Sequence, residues 1–391
     1  VLGSRGLGDV YKRQVDSFSL LAVPFYILCG VLMNTGGIAQ KLIDFAKILV
    51  GRIPGGLAHT NILGNTLFGS LSGSSVAASV AIGGVLIPME EKEGYDKKFA
   101  AAVNIASAPT GLIIPPSGIL IIYPVLAGCS VVGMIMSGYI PGLMWALACM
   151  VVAYVIAKKN HYPTAGKVPA SVFFKYFVDA IPSLLLIVII VGGVMSGIFT
   201  ATESAAVAVA YTLFLSIVVY RSIKIKDLPK ILLDACETTA VIMFLIAGSN
   251  VMSFVMSFTG LPSAIGNALI SVSSNKYVIL LIINLVLLVV GCFMDITPAV
   301  LIFTPIFLPV VQSFGMDPIH FGIMMVMNLG IGNITPPVGS ALFSGCSVAD
   351  MDMEDMIKPI LPFYAAIFVA LMLVAYVPWF SMALPTLFGA V

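Results

Sequence analysis

Seven residues recur at one fixed spacing, and all are of kinds that interrupt or cap helices. Pro88, Gly94, Asp96, Gly111, Pro115, Pro116 and Gly118 each meet the same residue type 221 positions later, at Pro309, Gly315, Asp317, Gly332, Pro336, Pro337 and Gly339. The identities share one ungapped offset across 31 positions and include both Pro-Pro pairs, so chance is a poor explanation even in a chain with 36 Gly and 23 Pro. Gly and Pro break helices, so one plan of helix breaks is written twice. Both copies lie in very apolar sequence. Broken helices at matching positions of two membrane halves point to the binding site of a secondary transporter.

The 391 residues are 60% hydrophobic and 9% charged, against about 25% charged in a soluble domain. This is the composition of an all-α polytopic membrane protein whose first partner is the lipid bilayer. A net charge of +1 gives no reason to expect a nucleic-acid partner. Cys29, Cys129, Cys149, Cys236, Cys292 and Cys346 are scattered through apolar segments without a CxxC, so neither a disulfide framework nor a metal centre is indicated. His59, His161 and His320 are far apart. No GxxxxGK[ST] and no HExxH occurs, which removes a P-loop ATP-driven step and a zinc protease of that type. The chain reads as a carrier and not an enzyme. Val1–Gln14 carries Arg5, Lys12 and Arg13 among glycines, with neither a membrane period nor the apolar core of a signal peptide. It reads as a fragment end or a non-native segment.

Spans follow from apolar run lengths. Ser17–Met33 is apolar, and Ile38–Val50 is an amphipathic interfacial arm. Leu57–Pro88 is interrupted at Ser70–Ser75, leaving flanks of about 13 residues where a crossing takes about 20. That is the pattern of a re-entrant hairpin. Phe99–Gly128 breaks at Pro115-Pro116, and Val131–Ala157 spans. Ile181–Phe199 and Ala205–Tyr220 span, joined by a polar turn at Glu203 that reads as an interfacial turn or helix start. Ala240–Phe258 spans, and Pro262–Ser274 is a second arm. Val278–Pro309 is a second hairpin with its tip at Met294–Pro298. Phe321–Ser347 breaks at Pro336-Pro337, and Ile360–Tyr376 closes the chain. The expected organisation is a non-native 1–14, a first repeat over 15–157, linking helices and loops over 158–230, and a second repeat over 231–391. Ala205–Tyr220 precedes the second repeat, and its counterpart would lie before residue 1, so an N-terminal helix is expected to be missing.

Charge sets the orientation. The loops 158–175 and 221–230 each hold four Lys or Arg, and two spans separate them, so both are cytoplasmic. Counting outward puts Gly94 on the cytoplasmic side and Gly315 outside, which makes the repeat inverted.

Non-helical backbone at bilayer depth must be buried in protein or line a watery cavity. Freed carbonyls suit a hard cation, and freed N–H groups at helix N-termini suit a carboxylate. Ser72, Gly73, Ser74 and Ser75, with Ser117 and Gly118, form one candidate cation site. Asp295 and Thr297, with Asn333, Thr335 and Gly339, form the second. Asp295 is the only acid between Ile279 and Met316, and an acid at mid-bilayer costs about 2.5–3.5 kcal/mol on insertion scales. A local hairpin cap is its plainer role. Close helix packing is the plainer role of the serines. A sodium-coupled anion symporter leads. A proton-coupled carrier with Asp295 as proton site is the nearest alternative, and a channel or a membrane-embedded enzyme are others.

At these residues the chain resembles the large membrane subunit of tripartite ATP-independent periplasmic (TRAP) transporters. The stretches are Pro24–Leu28, Ser72–Ser75, Ile87-Pro88 through Asp96, Ile114–Ser117, Gly197–Thr200 with Thr202-Glu203, Met294-Asp295 and Thr335–Gly339. They reach nearly everything after residue 15. Ala201, where the family usually has Pro, and the serine-rich run Ser107–Gly111 depart from its pattern. The resemblance implies an inverted-repeat elevator-type carrier of the wider ion-transporter superfamily in the bacterial inner membrane. It implies sodium as coupling ion and no other cofactor. It also implies organic acids (C4-dicarboxylate, sialic acid or another sugar acid) as substrates, handed over by a periplasmic substrate-binding protein, and a small four-helix membrane subunit as partner.

Overall fold

The computed structural model describes residues 21–164, 170–260, 264, 265, 268, 271–273 and 275–390. Every regular element among them is helical. The expectations for Val1–Gln14 and for most of Pro262–Ser274 fall outside the described residues. Among the described residues, seven helices are long and apolar enough to cross a membrane, or up to eight if one bent pair counts as a span. That pair is Ala22–Thr35 (α1) and Ile38–Val50 (α2), set at 72° to each other. The bend falls at Gly36-Gly37, where Gly37 takes φ +71°, a region costly for residues with a Cβ. The amphipathic α2 packs Ile38, Leu42, Ile43 and Ala46 inward.

The repeat is visible in the helix boundaries. The first copy is Gly56–Ser72 (α3), Ser75–Lys92 (α4), Lys97–Ser107 (α5), Thr110–Ile113 (α6) and Ile119–Ala127 (α7). Val131–Ser137 (α8) and Tyr139–Lys159 (α9) then form a single 29-residue crossing. Ala170–Ile187 (α10) continues through a π-helical turn into Gly193–Met195 (α11). Ala201–Phe214 (α12) starts at a capping box: Glu203 Oε2 accepts from Thr200 N at 2.8 Å, and Glu203 N donates to Thr200 Oγ1 at 3.2 Å. Glu203 therefore starts a helix, one of the two roles expected of it. Leu228–Thr259 (α13) leads into the second copy, Lys276–Phe293 (α14), Ile296–Ser313 (α15), Pro318–Gly332 (α16) and Ser340–Val348 (α17). The end of α14, both ends of α15, the start of α16 and both ends of α17 lie 221 residues after their counterparts. Met353–Tyr376 (α18) follows. A further helix, Trp379–Leu387 (α19), starts from Pro378, so Ile360–Tyr376 is not the last element.

Two boundaries differ from expectation. The hairpin arms are 17 and 18 residues long, not about 13. In the first tip only Gly73 and Ser74 leave the helix. Ser70 and Ser72 stay inside it by donating to the carbonyls of Leu67 (2.9 Å) and Gly69 (3.4 Å), a local bond open to serine in a helix. The first broken helix also has an extra interruption at Ala108-Pro109. Its counterpart α16 runs unbroken, because Gly330 stands where the first copy has Pro109.

Packing is reciprocal between the copies. The broken-helix end α7 rests on the hairpin arm α15, and its counterpart α17 rests on α4. Such exchange is the mark of a two-fold relation. Gly330 and its counterpart Pro109 touch each other: a Cβ on Gly330 would lie 3.5 Å from Pro109 Cβ. Residues that meet their own counterparts sit on the pseudo-two-fold axis.

The two hairpins open at opposite ends of the molecule. At the far end of the α8–α9 crossing, Tyr162 stacks on Tyr95 with centroids 4.5 Å apart and accepts from Asp96 N at 3.2 Å, beside the open end of the first hairpin. At its near end a Cβ on Gly133 would lie 2.7 Å from Ile319 Cδ1, beside the open end of the second. A helix of 29 residues is about 43 Å long. The α18 crossing repeats the pattern: Asp355 near its start pairs with Lys98 at 2.6 Å, and Tyr376 at its end donates to Tyr277 O at 3.2 Å.

Candidate functional site

Each hairpin tip lies against the break of its own repeat, and glycines permit the approach. A Cβ on Gly69 would fall 2.8 Å from Gly111 Cα, and one on Gly291 would fall 3.1 Å from Gly332 Cα. Gly73, at φ +64°, sits over Ser117 and Gly118. In the second repeat Val338 N donates to Cys292 O at 3.2 Å. Both Pro115-Pro116 and Pro336-Pro337 are cis. Gly339 takes φ +42°, and a Cβ there would crowd the carbonyls of Thr335 (2.9 Å) and Asn333 (3.1 Å).

The two repeats meet at one cavity of about 360 Å³. Eight of the eleven expected residues line it: Ser72, Gly73, Ser74, Ser75, Gly118, Asp295, Thr297 and Asn333. The link between the halves is Asn333, whose Nδ2 donates to Ser75 Oγ at 2.7 Å. Its Oδ1 accepts from Ser340 Oγ, and Ser340 also reaches Asp295 Oδ1 at 3.1 Å. Three expected residues stand behind this wall. Ser117 is fully buried and its Oγ has no hydrogen-bond partner. Thr335 turns its hydroxyl to Ile331 O at 2.6 Å. Gly339 carries the chain into α17. The two expected groups thus face each other across one cavity, with three of their residues set behind its walls.

Asp295 is the N-cap residue of α15, yet its side chain makes no capping bond. A carboxylate used only as a local cap would accept from the first-turn N–H groups. Instead it is exposed toward the cavity with Ser340 as its hydroxyl partner. Ser74, at the matching end of α4, does cap its helix, accepting from Ala77 N at 3.2 Å. The N-termini of α4 and α15 both end at the cavity, and each carries roughly half a positive charge. Such ends suit an anion, while Asp295 and the freed oxygens suit a cation.

Other residues complete the walls. Tyr26, Gly30 and Asn34 on α1 line the cavity, as do Thr238 and Ile242 on α13. A Cβ on Gly30 would fall 2.8 Å from Ser72 O, so α1 leans directly on the first tip. The spacing of four between these α1 residues places them on one helix face, a signal present in the sequence. Ser340 carried a signal too, as the first residue of the helix after the second break.

The family described as "Tripartite ATP-independent periplasmic transporter, DctM component" matches residues 7–380. The chain belongs to this family. As a DctM-family protein it shares 52% identity over 376 residues with the uncharacterised protein YgiK of Salmonella typhimurium, covering 96% of this chain and 86% of that one. It is 40% identical to the sialic acid TRAP transporter large permease protein SiaM of Vibrio cholerae, over 96% of this chain and 88% of the relative. It is 39% identical to the C4-dicarboxylate TRAP transporter large permease protein DctM of Pseudomonas aeruginosa, over 98% and 90%. Among solved structures, the YdaH transporter of Alcanivorax borkumensis matches with a TM-score of 0.64 at 14% identity, over 95% of this chain and 86% of that one. That likeness is one of fold. The DctM family is a transporter family, so the chain is a multi-pass membrane transporter subunit and not an enzyme.

Proposed function

We propose that this DctM-family protein is the large permease of a sodium-coupled carrier for organic acids. The observation that carries this is the shared cavity, where two helix N-termini, one acid and the Asn333–Ser75 link converge from two repeats that open at opposite ends. The anion sits between the tips, facing the N-termini of α4 and α15. One cation sits behind the first tip, where Ser117 Oγ stands unpartnered, and another at the cavity wall of the second repeat, beside Asp295 and Ser340. Sodium fits both walls because it needs only oxygens. A proton needs a titratable group, and the first tip has none. Relatives named for sialic acid and C4-dicarboxylate support carboxylates as the substrate class.

Reciprocal packing of hairpins and broken helices lets them move as one body, so alternating access carries both tips together past α1 and α13, as an elevator. In the membrane the two hairpins are re-entrant. The family's design supplies the partners, a periplasmic substrate-binding protein for delivery and a small membrane subunit, in the bacterial inner membrane. The test is binding-protein-dependent uptake into proteoliposomes, across a panel of carboxylic acids, with sodium and pH gradients imposed separately. Uptake that requires the sodium gradient supports the reading. Equal uptake under a pH gradient without sodium transfers the coupling to a proton at Asp295.

A further inference from the structure

The first hairpin contains a buried acid that the central cavity does not use. Glu90 follows Pro88, beyond the apolar run, in the polar stretch Met89-Glu90-Glu91-Lys92-Glu93. Its three charged neighbours are exposed, but Glu90 has no exposed surface. Neither carboxyl oxygen has a hydrogen-bond partner. Asn61, on the facing arm, is also fully buried, and its Nδ2 is unpartnered too. Burial pushes the Glu90 carboxyl well above the usual carboxylate range; the Asn61 amide eases this, and the Glu93 charge adds to it.

Behind Asn61 a polar spine runs up the inside of the first repeat. Asn65 Nδ2 reaches Asn61 Oδ1 at 3.0 Å, Asn104 Oδ1 at 3.0 Å and Ser107 Oγ at 2.9 Å. Thr110 donates to Ser107 O at 2.7 Å, beside the Gly69–Gly111 crossing. The second repeat has no such base. Val311, fully buried, stands at the position matching Glu90.

An unpaired buried carboxylate is far more costly than an unpaired buried acid. Among the described residues no basic group hydrogen-bonds the Glu90 carboxyl. His59 on α3 is buried with both ring nitrogens unpartnered. Lys98 on α5 is paired with Asp355. Asp96 and Tyr95 precede α5, and Tyr162, after α9, stacks on Tyr95. None of these hydrogen-bonds the Glu90 carboxyl.

We propose that Glu90 is a proton-binding site, separate from the central cavity, that holds its proton while the base of the first hairpin stays closed. Losing that proton breaks the O–H bond and passes H⁺ to water. Water must therefore enter between α3 and α4, and opening of the base is coupled to pH on that side. Glu90→Gln mimics the protonated acid and removes the coupling.

The test uses the purified full chain. Because the folded protein holds the proton more tightly than the unfolded chain, its stability is complete at low pH and declines as pH rises through the raised folded value. Melting temperatures of the native protein and Glu90→Gln are expected to agree below the ordinary carboxylate range and to separate progressively as pH rises above it, the native protein falling relative to Glu90→Gln until the raised folded value is passed. Infrared spectra are expected to show a deuterium-sensitive carbonyl stretch of a protonated carboxyl, absent from Glu90→Gln. Parallel melting profiles, or the same band in both proteins, would overturn the proposal. Should Glu90→Gln fail to fold, Asn61→Ala keeps the acid and removes the facing amide that eases its raised value. A shift in the band frequency then supports the site, and an unmoved band refutes it.

Discussion

Cutting the link between the two halves at Asn333 has a calculable cost. Asn333→Ala removes the 2.7 Å bond to Ser75 and the acceptor used by Ser340. A typical bond contributes about 0.5–1.5 kcal/mol net, and leaving a buried partner unsatisfied costs about 1–3 kcal/mol. Ser340 retains Asp295 as an alternative acceptor at 3.1 Å, so its share is small. Ser75, only 3% exposed, has none, so the total expected is about 2–3 kcal/mol. Ser75→Ala alone leaves Asn333 Nδ2 orphaned and should cost about 1–2 kcal/mol. Denaturant unfolding of both single variants and the double variant closes a cycle. The coupling energy should be about 1 kcal/mol, since two residues in one hydrogen bond are not additive. A coupling below about 0.3 kcal/mol, the usual scatter for independent sites, would refute a direct bond between the repeats. Sodium-dependent uptake should fall in the single variants more than binding-protein docking does, because the lost bond lies in the cavity wall.

Asp295→Asn should weaken the sodium dependence of uptake, read as a higher half-saturating sodium concentration, because its carboxylate is not spent on a cap. Ser117→Ala should do the same to a smaller degree, while melting near the native temperature because its hydroxyl has no protein partner to lose. Gly111→Ala and Gly332→Ala each drive a Cβ into the facing hairpin backbone and should destabilise by about 1–3 kcal/mol. Thermal melts would show both losses, and a neutral result in either would contradict the close crossing.

The positions of the breaks were legible because Gly and Pro act through the backbone, whatever surrounds them. Gly94, Gly315 and the two Pro-Pro pairs therefore marked the second copy to the residue. Arm lengths were not legible, because Ser70 and Ser72 can satisfy themselves inside a helix or end one, and the choice depends on what packs nearby. In the sequence Ser117 reads as a ligand only from its neighbours. Its isolation behind the tip depends on the distance between two helices, which no local pattern encodes. Glu90 was hidden among Glu91, Lys92 and Glu93, since a charge run reads as solvated until one member is seen facing inward. Asn333 was expected in its own repeat; its bond to Ser75 crosses 258 residues of sequence.

The contact between Pro109 and Gly330 limits how alike the two halves can become. On an axis each residue faces its own counterpart, so a perfectly duplicated chain would place proline against proline or glycine against glycine. Here the indole of Trp145 fills the room that the missing side chain leaves, with Cη2 3.4 Å from a Cβ built on Gly330 and Nε1 donating to Ala106 O at 2.9 Å. At the same offset of 221 from Trp145 stands Ala366. Bulk has been traded across the axis, with a large ring on one half opposite a bare backbone on the other. A designer who symmetrised this molecule by copying either half onto the other would first have to rebuild its centre.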